Sequence, residues 1–154
     1  MGRSRRGLTT KVHAVVDARG LPLELLLTPG QAADCPATAQ LLGRLRPGNI
    51  LLADKAYDTD WLRRQIEQTG TVPNIPFKSN HLWKGCFSPA LYRERNRVER
   101  FFNRIKHFRR VAAHYEKHAS NYLAMLKLAC IKIWMRTYES MTQASRSVSG
   151  VDLR

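Results

Sequence analysis

The sequence predicts an α/β fold in a single domain. Short runs of β-branched and apolar residues alternate with stretches of helical periodicity in the order β, β, α, β, α, β, and two longer helices follow. The chain has 154 residues, of which 44% are hydrophobic, enough to build one core. These observations favour a small sheet with flanking helices.

The first elements are a β-hairpin and a helix. Residues 9–16 and 21–27 read as strands, and the segment 17–20, Asp-Ala-Arg-Gly, is a turn signal between them. Residues 32–45 have the alanine and leucine spacing of an amphipathic helix, which the Pro-Gly pair at 47–48 ends. The chain therefore begins with β, β, α.

A strand, a helix and a second strand follow. The apolar run 49–54 ends on a carboxylate and predicts a buried strand. Asp58 or Thr59 can cap a helix that runs to about residue 68, and residues 71–75 form a further short strand. This order is that of a sheet with a helical crossover.

The loop from Pro76 to Pro89 interleaves aromatic and cationic side chains, among them Trp83. Surfaces that bind nucleic-acid strands combine these residue types, so the loop is a candidate DNA contact. The alternative is a loop whose aromatic side chains pin it to the core.

Two long helices complete the chain, one from about Ala90 and one from about Ala119 to Tyr138. The serine-rich segment after them lacks apolar periodicity, which is typical of disordered chain. The sequence thus predicts a folded domain over 1–139 and a disordered tail over 140–154.

The charge balance indicates a polyanionic partner. Lys and Arg number 26 against 12 Asp and Glu, which gives a net charge of +14 and a pI near 10.5. Nucleic acid fits best, through phosphate contacts and counterion release.

The longest apolar stretch, 123–135, is interrupted by Lys127 and Lys132, so we expect no membrane partner and a cytoplasmic protein. The cysteines, Cys35, Cys86 and Cys130, lack disulfide or zinc spacing and are expected to be reduced.

Tyr92, Arg95, Glu99 and Lys106 share one face of a predicted helix. At about 100° per residue they fall at roughly 0°, 300°, 340° and 320°. Taken alone, this pattern fits a solvated charged edge as well as a functional site. The Asp54 carboxylate, at the end of a predicted central strand, shifts the balance, because a strand-end Asp and a helix Glu can hold Mg²⁺ for phosphoryl chemistry. The alternative for Asp54 is a helix cap or turn residue.

The spacing of these four residues resembles the Tyr-Arg-Glu-Lys signature of DDE-type bacterial insertion-sequence transposases. Residues 51–58 resemble the segment around the second catalytic Asp, with Ala56 where many relatives have Gly. Further similar segments are 2–13, 27–31, 109–110 and 115–117. The chain is most similar to the insertion sequence five family, whose members have an RNase H-like mixed sheet with flanking helices.

The resemblance implies that Asp54 and Glu99 are catalytic, metal-binding carboxylates of a two-Mg²⁺ site. Tyr92, Arg95 and Lys106 would contact DNA phosphates, and we expect further DNA contacts at Trp83, Arg109 and Arg110. The implied reaction is hydrolysis at the transposon ends followed by attack of the 3′-hydroxyl on target DNA. The implied partners are terminal inverted repeats and target DNA, with a possible homodimer on paired ends and a bacterial, nucleoid-associated location.

The same resemblance implies that one part is missing. The first catalytic Asp of the family lies on a central strand upstream of the segment that begins at Gly2, so we expect an N-terminally truncated fold, an incomplete triad and no activity of the chain alone. Asp17, Asp34 and Asp58 are poorly placed to substitute. The chain would then be the downstream frame of a frameshifted transposase, a decayed remnant, or a non-catalytic DNA-binding fragment.

Overall fold

The computed structural model describes residues 2–4, 7–33, 38–81, 84–112 and 118–148. Strands lie at Gly2–Ser4 (β1), Gly7–Val16 (β2), Pro22–Pro29 (β3), Ile50–Leu52 (β4) and Val72–Asn74 (β5). α-Helices span Asp60–Gln68 (α1), Pro89–Tyr92 (α2), Asn96–Lys106 (α3), Arg109–Ala112 (α4) and Ala119–Val148 (α5). Short 3-10 helices span Ala39–Arg44, Lys55–Tyr57 and Arg93–Arg95. The predicted α/β class is confirmed.

The chain divides into two compact units, residues 1–102 and 103–154. The first unit contains β1 to β5, α1 and α2, and the second contains α4 and α5. Helix α3 begins in the first unit and ends in the second.

β1, β2 and β3 form an antiparallel sheet in that order, and β2 and β3 are the predicted hairpin. In the turn between β2 and β3, Asp17 Oδ1 accepts hydrogen bonds from the backbone N–H groups of Arg19 and Leu21, both at 2.8 Å. Gly20 adopts a φ of +77°, which glycine reaches without a steric penalty. Asp17 therefore shapes the turn.

β4 and β5 pair in parallel in a second, two-stranded sheet, and α1 is the crossover between them. Thr59 caps α1 by accepting a hydrogen bond from the Leu62 N–H at 3.3 Å. The predicted strand, helix, strand order is confirmed here, but the prediction of a buried strand is wrong. Ile50 is 49% exposed, because β4 has one strand neighbour in the described part of the chain.

Two predicted helices differ from the observed ones. Of the helix predicted over 32–45, residues 34–37 lie outside the described ranges, Thr38 is helical and Ala39–Arg44 form a 3-10 helix. Gly43 weakens an α-helix at its own position. The last helix continues to Val148, past the predicted end at Tyr138, since missing apolar periodicity removes packing but not intrinsic helix propensity. Residues 149–154 of the predicted tail are outside the described ranges.

Each unit buries its own apolar side chains. In the first unit the buried cluster consists of Leu42, Leu62, Ile66 and Ile75, with Leu45, Leu51, Ala53 and Tyr57 packed against it. The second unit buries Val111, Tyr122, Leu126, Ala129, Cys130 and Ile133. Burial raises the pKa of the Cys130 thiol to about 11, so this thiol is protonated at neutral pH. None of the helices described here is both long and apolar enough to span a membrane.

Candidate functional site

Asp54 follows β4 by two residues and begins the 3-10 turn Lys55–Tyr57, where its backbone oxygen accepts a hydrogen bond from the Tyr57 N–H at 2.9 Å. Ala53 packs against the core, whereas the Asp54 carboxylate is 50% exposed. The Tyr57 hydroxyl lies 3.1 Å from Nδ1 of the buried His13 on β2, which anchors the turn. Asp54 is thus a solvent-facing carboxylate on a well-anchored turn.

Asn74, the last residue of β5, holds the start of α2 near Asp54. Its Nδ2 donates to the Ser88 carbonyl at 3.1 Å, and its Oδ1 accepts from the Ser88 N–H at 2.7 Å. Ser88 in turn caps α2 through a hydrogen bond from the Leu91 N–H at 3.4 Å. Since Asn74 pairs with Leu52 on β4, the start of α2 lies beside the strand end that precedes Asp54. The sequence analysis missed Asn74, whose signal is a polar residue at the end of an apolar strand.

A 3-10 turn aligns Tyr92 and Arg95. The sequence predicts one helix from about Ala90, but the 3-10 helix Arg93–Arg95 separates α2 from α3. A 3-10 helix turns by about 120° per residue, against about 100° in an α-helix, so Tyr92 and Arg95 are about one full turn apart. The guanidinium carbon of Arg95 accordingly lies 5.5 Å from the centroid of the Tyr92 ring. In a continuous α-helix, Tyr92 and Arg95 would instead differ by about 60° in their direction around the helix axis.

Asp54, Tyr92, Arg95 and Glu99 form one connected group of side chains, the Asp54–Glu99 cluster. The Tyr92 hydroxyl donates to Asp54 Oδ1 at 3.0 Å, and Arg95 Nη1 donates to Asp54 Oδ2 at 3.1 Å. Arg95 Nη2 donates to Glu99 Oε1. The structure therefore brings together four of the residues singled out from the sequence, with one guanidinium between two carboxylates.

The carboxylates of the cluster are exposed to solvent. The side chains of Asp54 and Glu99 are 50% and 51% exposed, and that of Arg95 is 22% exposed. Burial lowers the pKa of Arg95, but the charge of Asp54 and the hydrogen bond to Glu99 outweigh it, and the net shift is upward. Burial raises the pKa of Tyr92, and the hydrogen bond to Asp54 raises it further. At neutral pH Tyr92 is therefore a neutral hydrogen-bond donor and Arg95 a fixed cation.

Two carboxylates that reach one cation have the donor chemistry of a divalent-cation site. Mg²⁺ in proteins is commonly held by one or two carboxylates together with water and substrate phosphates. Asp54 and Glu99 supply that number, and both contact the same positive group. In the part of the chain that the structure describes, no three His, Cys, Asp or Glu side chains gather in a metal-binding arrangement. The residues fit a cation whose coordination is completed by water and phosphate.

The other predicted DNA-contacting residues lie in the second unit or outside the described ranges. Lys106 ends α3, Arg109 and Arg110 begin α4, and all of them are exposed. Trp83 falls outside the described residues, as does the segment 115–117.

Asp58 anchors the aromatic and cationic loop that follows β5. It is 1% exposed, and its carboxylate accepts the Lys78 backbone N–H at 2.5 Å and Arg63 Nε at 2.8 Å. His81 Nε2 lies 3.0 Å from the same carboxylate. Burial raises the pKa of Asp58, but the hydrogen bonds from Lys78 and Arg63 and the nearby positive charges lower it more, and the net shift is downward. From sequence Asp58 is a candidate helix cap, but Thr59 caps α1 and Asp58 instead holds this loop, a structural role that its local sequence does not indicate.

One aromatic side chain of the loop supports the structural alternative for that segment. The guanidinium carbon of Arg63 lies 4.0 Å from the centroid of the Phe77 ring, and Phe77 meets His81 edge-on at 5.7 Å. Phe77 therefore fastens the loop. Phe87 packs on Tyr92 with a centroid distance of 5.6 Å, which links the end of the loop to the Asp54–Glu99 cluster.

Comparisons with known proteins identify the family of the chain. A family model described as a transposase DDE domain matches residues 2–134. The chain is 40% identical over 133 residues to a Brucella ovis protein named as a transposase for insertion sequence element IS6501, a match that covers 84% of this chain and 100% of that relative. It is 29% identical over 153 residues to a Burkholderia cepacia protein named as a transposase for insertion sequence element IS402, covering 92% of this chain and 69% of that relative. No solved structure matches the chain at a significant level. The chain therefore belongs to the family of DDE transposase domains.

Proposed function

We propose that this chain takes part in DNA transposition, through Mg²⁺-dependent cleavage at the ends of an insertion sequence and transfer of those ends to target DNA. The observation that carries the proposal is the convergence of Asp54 and Glu99 on one guanidinium beside a strand end. Family membership supports the reaction class. The DNA partners are then the terminal inverted repeats and the target, with a homodimer acting on paired ends.

In this proposal Asp54 and Glu99 would hold the metal. The chemistry supplied by Mg²⁺ there would be activation of the attacking oxygen and stabilisation of the leaving oxygen of a phosphoryl transfer. Arg95, once released from the carboxylates, can donate two parallel hydrogen bonds to a phosphate, and the Tyr92 hydroxyl can donate a third. These residues position the phosphate, and no covalent bond to the protein is needed. We propose further DNA contacts at Lys106, Trp83, Arg109 and Arg110.

We further propose that the fold is an RNase H-like sheet in which another strand completes the site. The described strands form two separate sheets, and the Asp54–Glu99 cluster supplies two carboxylates, whereas the resemblance implies three. In this proposal a strand of a second polypeptide carries the third carboxylate. We expect the chain alone to give no cleavage.

Titration of the purified chain with Mn²⁺, followed by electron paramagnetic resonance, tests the metal site. Asp54→Asn and Glu99→Gln each remove one ligand and should weaken Mn²⁺ binding by about tenfold or more, about 1.4 kcal/mol. Glu94→Gln is the matched control, because Glu94 is 50% exposed and pairs with Arg97 on the same helical segment. Unchanged affinity in both test variants, or an equal loss in the control, would remove the two carboxylates from a metal site.

A non-catalytic DNA-binding protein is the second candidate, favoured by the net charge of +14. Cleavage of the element's own ends with Mg²⁺, assayed with the chain alone and with a second polypeptide that carries an Asp-bearing strand, separates these two candidates. Cleavage that Glu99→Gln abolishes without loss of DNA binding supports the transposase. Salt-sensitive binding without any cleavage supports the second candidate.

A further inference from the structure

The second unit carries a groove whose polar lining is cationic. It has a volume of about 470 Å³ and lies between the end of α3 and the middle of α5. Its polar lining residues are Arg104, His107, Lys132, Arg136, Thr137 and Ser140. No residue of the Asp54–Glu99 cluster lines this groove, which we call the cationic groove.

Helical spacing explains why these side chains meet. On α5 the lining positions are 132, 133, 136, 137 and 140, which follow the spacing of a single helix face. Phe108 and Ile133 supply the apolar part of the lining. The Lys132 ammonium lies 5.9 Å from the centroid of the Phe108 ring, so a cation–π contact holds it at the groove.

Among the described residues, the groove has cations without matching anions. Its described lining contains no acidic residue, and within the same ranges no salt bridge joins Arg104, Lys132 or Arg136 to a carboxylate. All of these cations are exposed. Like charges at close range repel one another, and an anion that they share removes that repulsion. The groove is therefore electrostatically suited to an anion.

The hydroxyl groups of the groove do not favour a small, tightly held anion. Thr137 Oγ1 donates to the Ile133 carbonyl at 3.0 Å, and Ser140 Oγ donates to the Thr137 carbonyl at 2.8 Å. Both donors are thus used within α5. Recognition is left to the long cationic side chains, which bind phosphates by charge and not by a fixed set of neutral donors.

We propose that the cationic groove binds the phosphodiester backbone of DNA, as a contact site separate from the Asp54–Glu99 cluster. The proposal rests on the proposed function, which makes DNA the polyanion that the chain handles. Contacts of this kind fix the position of a duplex without reading its sequence. The groove then serves to hold DNA of any sequence, including target DNA.

Fluorescence anisotropy with a mixed-sequence duplex, over a range of KCl concentrations, tests the proposal. In the full chain, Lys132→Gln combined with Arg136→Gln should weaken binding about tenfold at low salt. The slope of log Kobs against log salt should fall by about 2, since each phosphate contact contributes about 0.9. The matched control is Lys127→Gln combined with Arg64→Gln, which removes the same charge at exposed positions that do not line the groove. In the control, we expect the slope to change by less than about a third of the change in the groove variant.

The outcomes separate this proposal from the proposed function. If the unmodified chain does not bind the duplex, the proposed function fails. If it binds, and the groove and control variants lose affinity equally, the groove proposal is overturned while DNA binding stands. Should the double variant lose its helical circular dichroism, Arg104→Gln tests the groove instead, because Arg104 lines it from α3 and α5 is then left unchanged. A separate arm measures binding of inorganic phosphate, and groove-dependent phosphate binding with unchanged DNA affinity would also overturn the proposal.

Discussion

At the scale of single residues, Arg95 acts as an internal counter-ion. Its guanidinium lies between Asp54 and Glu99, where it neutralises carboxylates that would otherwise repel each other. The same carboxylates are the proposed metal ligands. A divalent cation must therefore compete with Arg95, and its binding would release the guanidinium towards a phosphate.

Replacement of Arg95 tests this competition. In Arg95→Ala we expect Mn²⁺ affinity in the absence of DNA to rise about tenfold, about 1.4 kcal/mol, because both carboxylates lose their internal partner. Affinity for DNA should fall in the same variant, because a phosphate-binding cation is lost. Isothermal titration calorimetry measures the first effect and fluorescence anisotropy the second. Arg97→Ala, which breaks the pair with Glu94, is the control, and lower Mn²⁺ affinity in Arg95→Ala would contradict the competition.

At the scale of elements, the site depends on where each element begins and ends. Asn74 ties the end of β5 to Ser88 at the start of α2, and the 3-10 helix Arg93–Arg95 then sets the rotation of Arg95 relative to Tyr92. A displacement at Ser88 would pass along the helical segment to the Asp54–Glu99 cluster. The junction between β5 and α2 is thus part of the support of the site.

Asn74→Ala should destabilise this junction. The variant removes both hydrogen bonds to Ser88 from a residue that is 4% exposed, and we expect a loss of about 2 kcal/mol in the free energy of unfolding. Urea unfolding followed by circular dichroism measures it. The exposed Asn49 provides the control, since Asn49→Ala should change stability by less than about 0.5 kcal/mol. Equal stability of the two variants would show that Asn74 does not hold the helix start.

Asp58→Asn should weaken the fold in a pH-dependent way. Asp58 is buried against Arg63, and loss of its charge leaves that guanidinium without its carboxylate partner, at a cost of about 3 kcal/mol at neutral pH. Because the pKa of Asp58 in the folded protein lies below its ordinary value of 3.8, its stabilisation is present above about pH 4 and is lost as the pH falls through the lowered pKa. Wild type and variant should therefore converge in stability at acid pH. Asp60→Asn, at a side chain that is 73% exposed, is the control, and a stability gap that persists at the lowest pH would contradict the assignment.

At the scale of the whole molecule, the excess of positive charge is the main indication of the partner. The net charge of +14 indicates a polyanionic partner, and exposed cations occur in both units. Such a surface binds DNA mainly by releasing counterions from phosphates.

Binding to duplex DNA should therefore be strongly salt-dependent. We expect log Kobs to fall with log salt at a slope steeper than about −4, which corresponds to about five or more phosphates at about 0.9 each. Anisotropy titrations over a range of KCl concentrations measure the slope. Glu99→Gln should leave it largely unchanged, since that side chain is assigned to the metal. A flat response would exclude a binding mode dominated by phosphates.

The sequence by itself determined the α/β class, the hairpin around Asp17, the crossover between β4 and β5, and the choice of Asp54, Tyr92, Arg95 and Glu99 as site candidates. These features depend on local patterns, such as apolar periodicity, turn residues and motif spacing, which the chain carries without reference to its fold.

The tertiary structure alone decided how these residues meet. The Asn74–Ser88 pair, the 3-10 turn before α3, the Arg95 bridge and the cationic groove join residues that are distant in sequence or depend on the exact rotation of a helix. The same holds for Asp58, which reads as a cap in sequence and is a buried loop anchor in the fold. Periodicity specifies which face of an element is apolar, but packing specifies which polar side chains are brought within hydrogen-bonding distance.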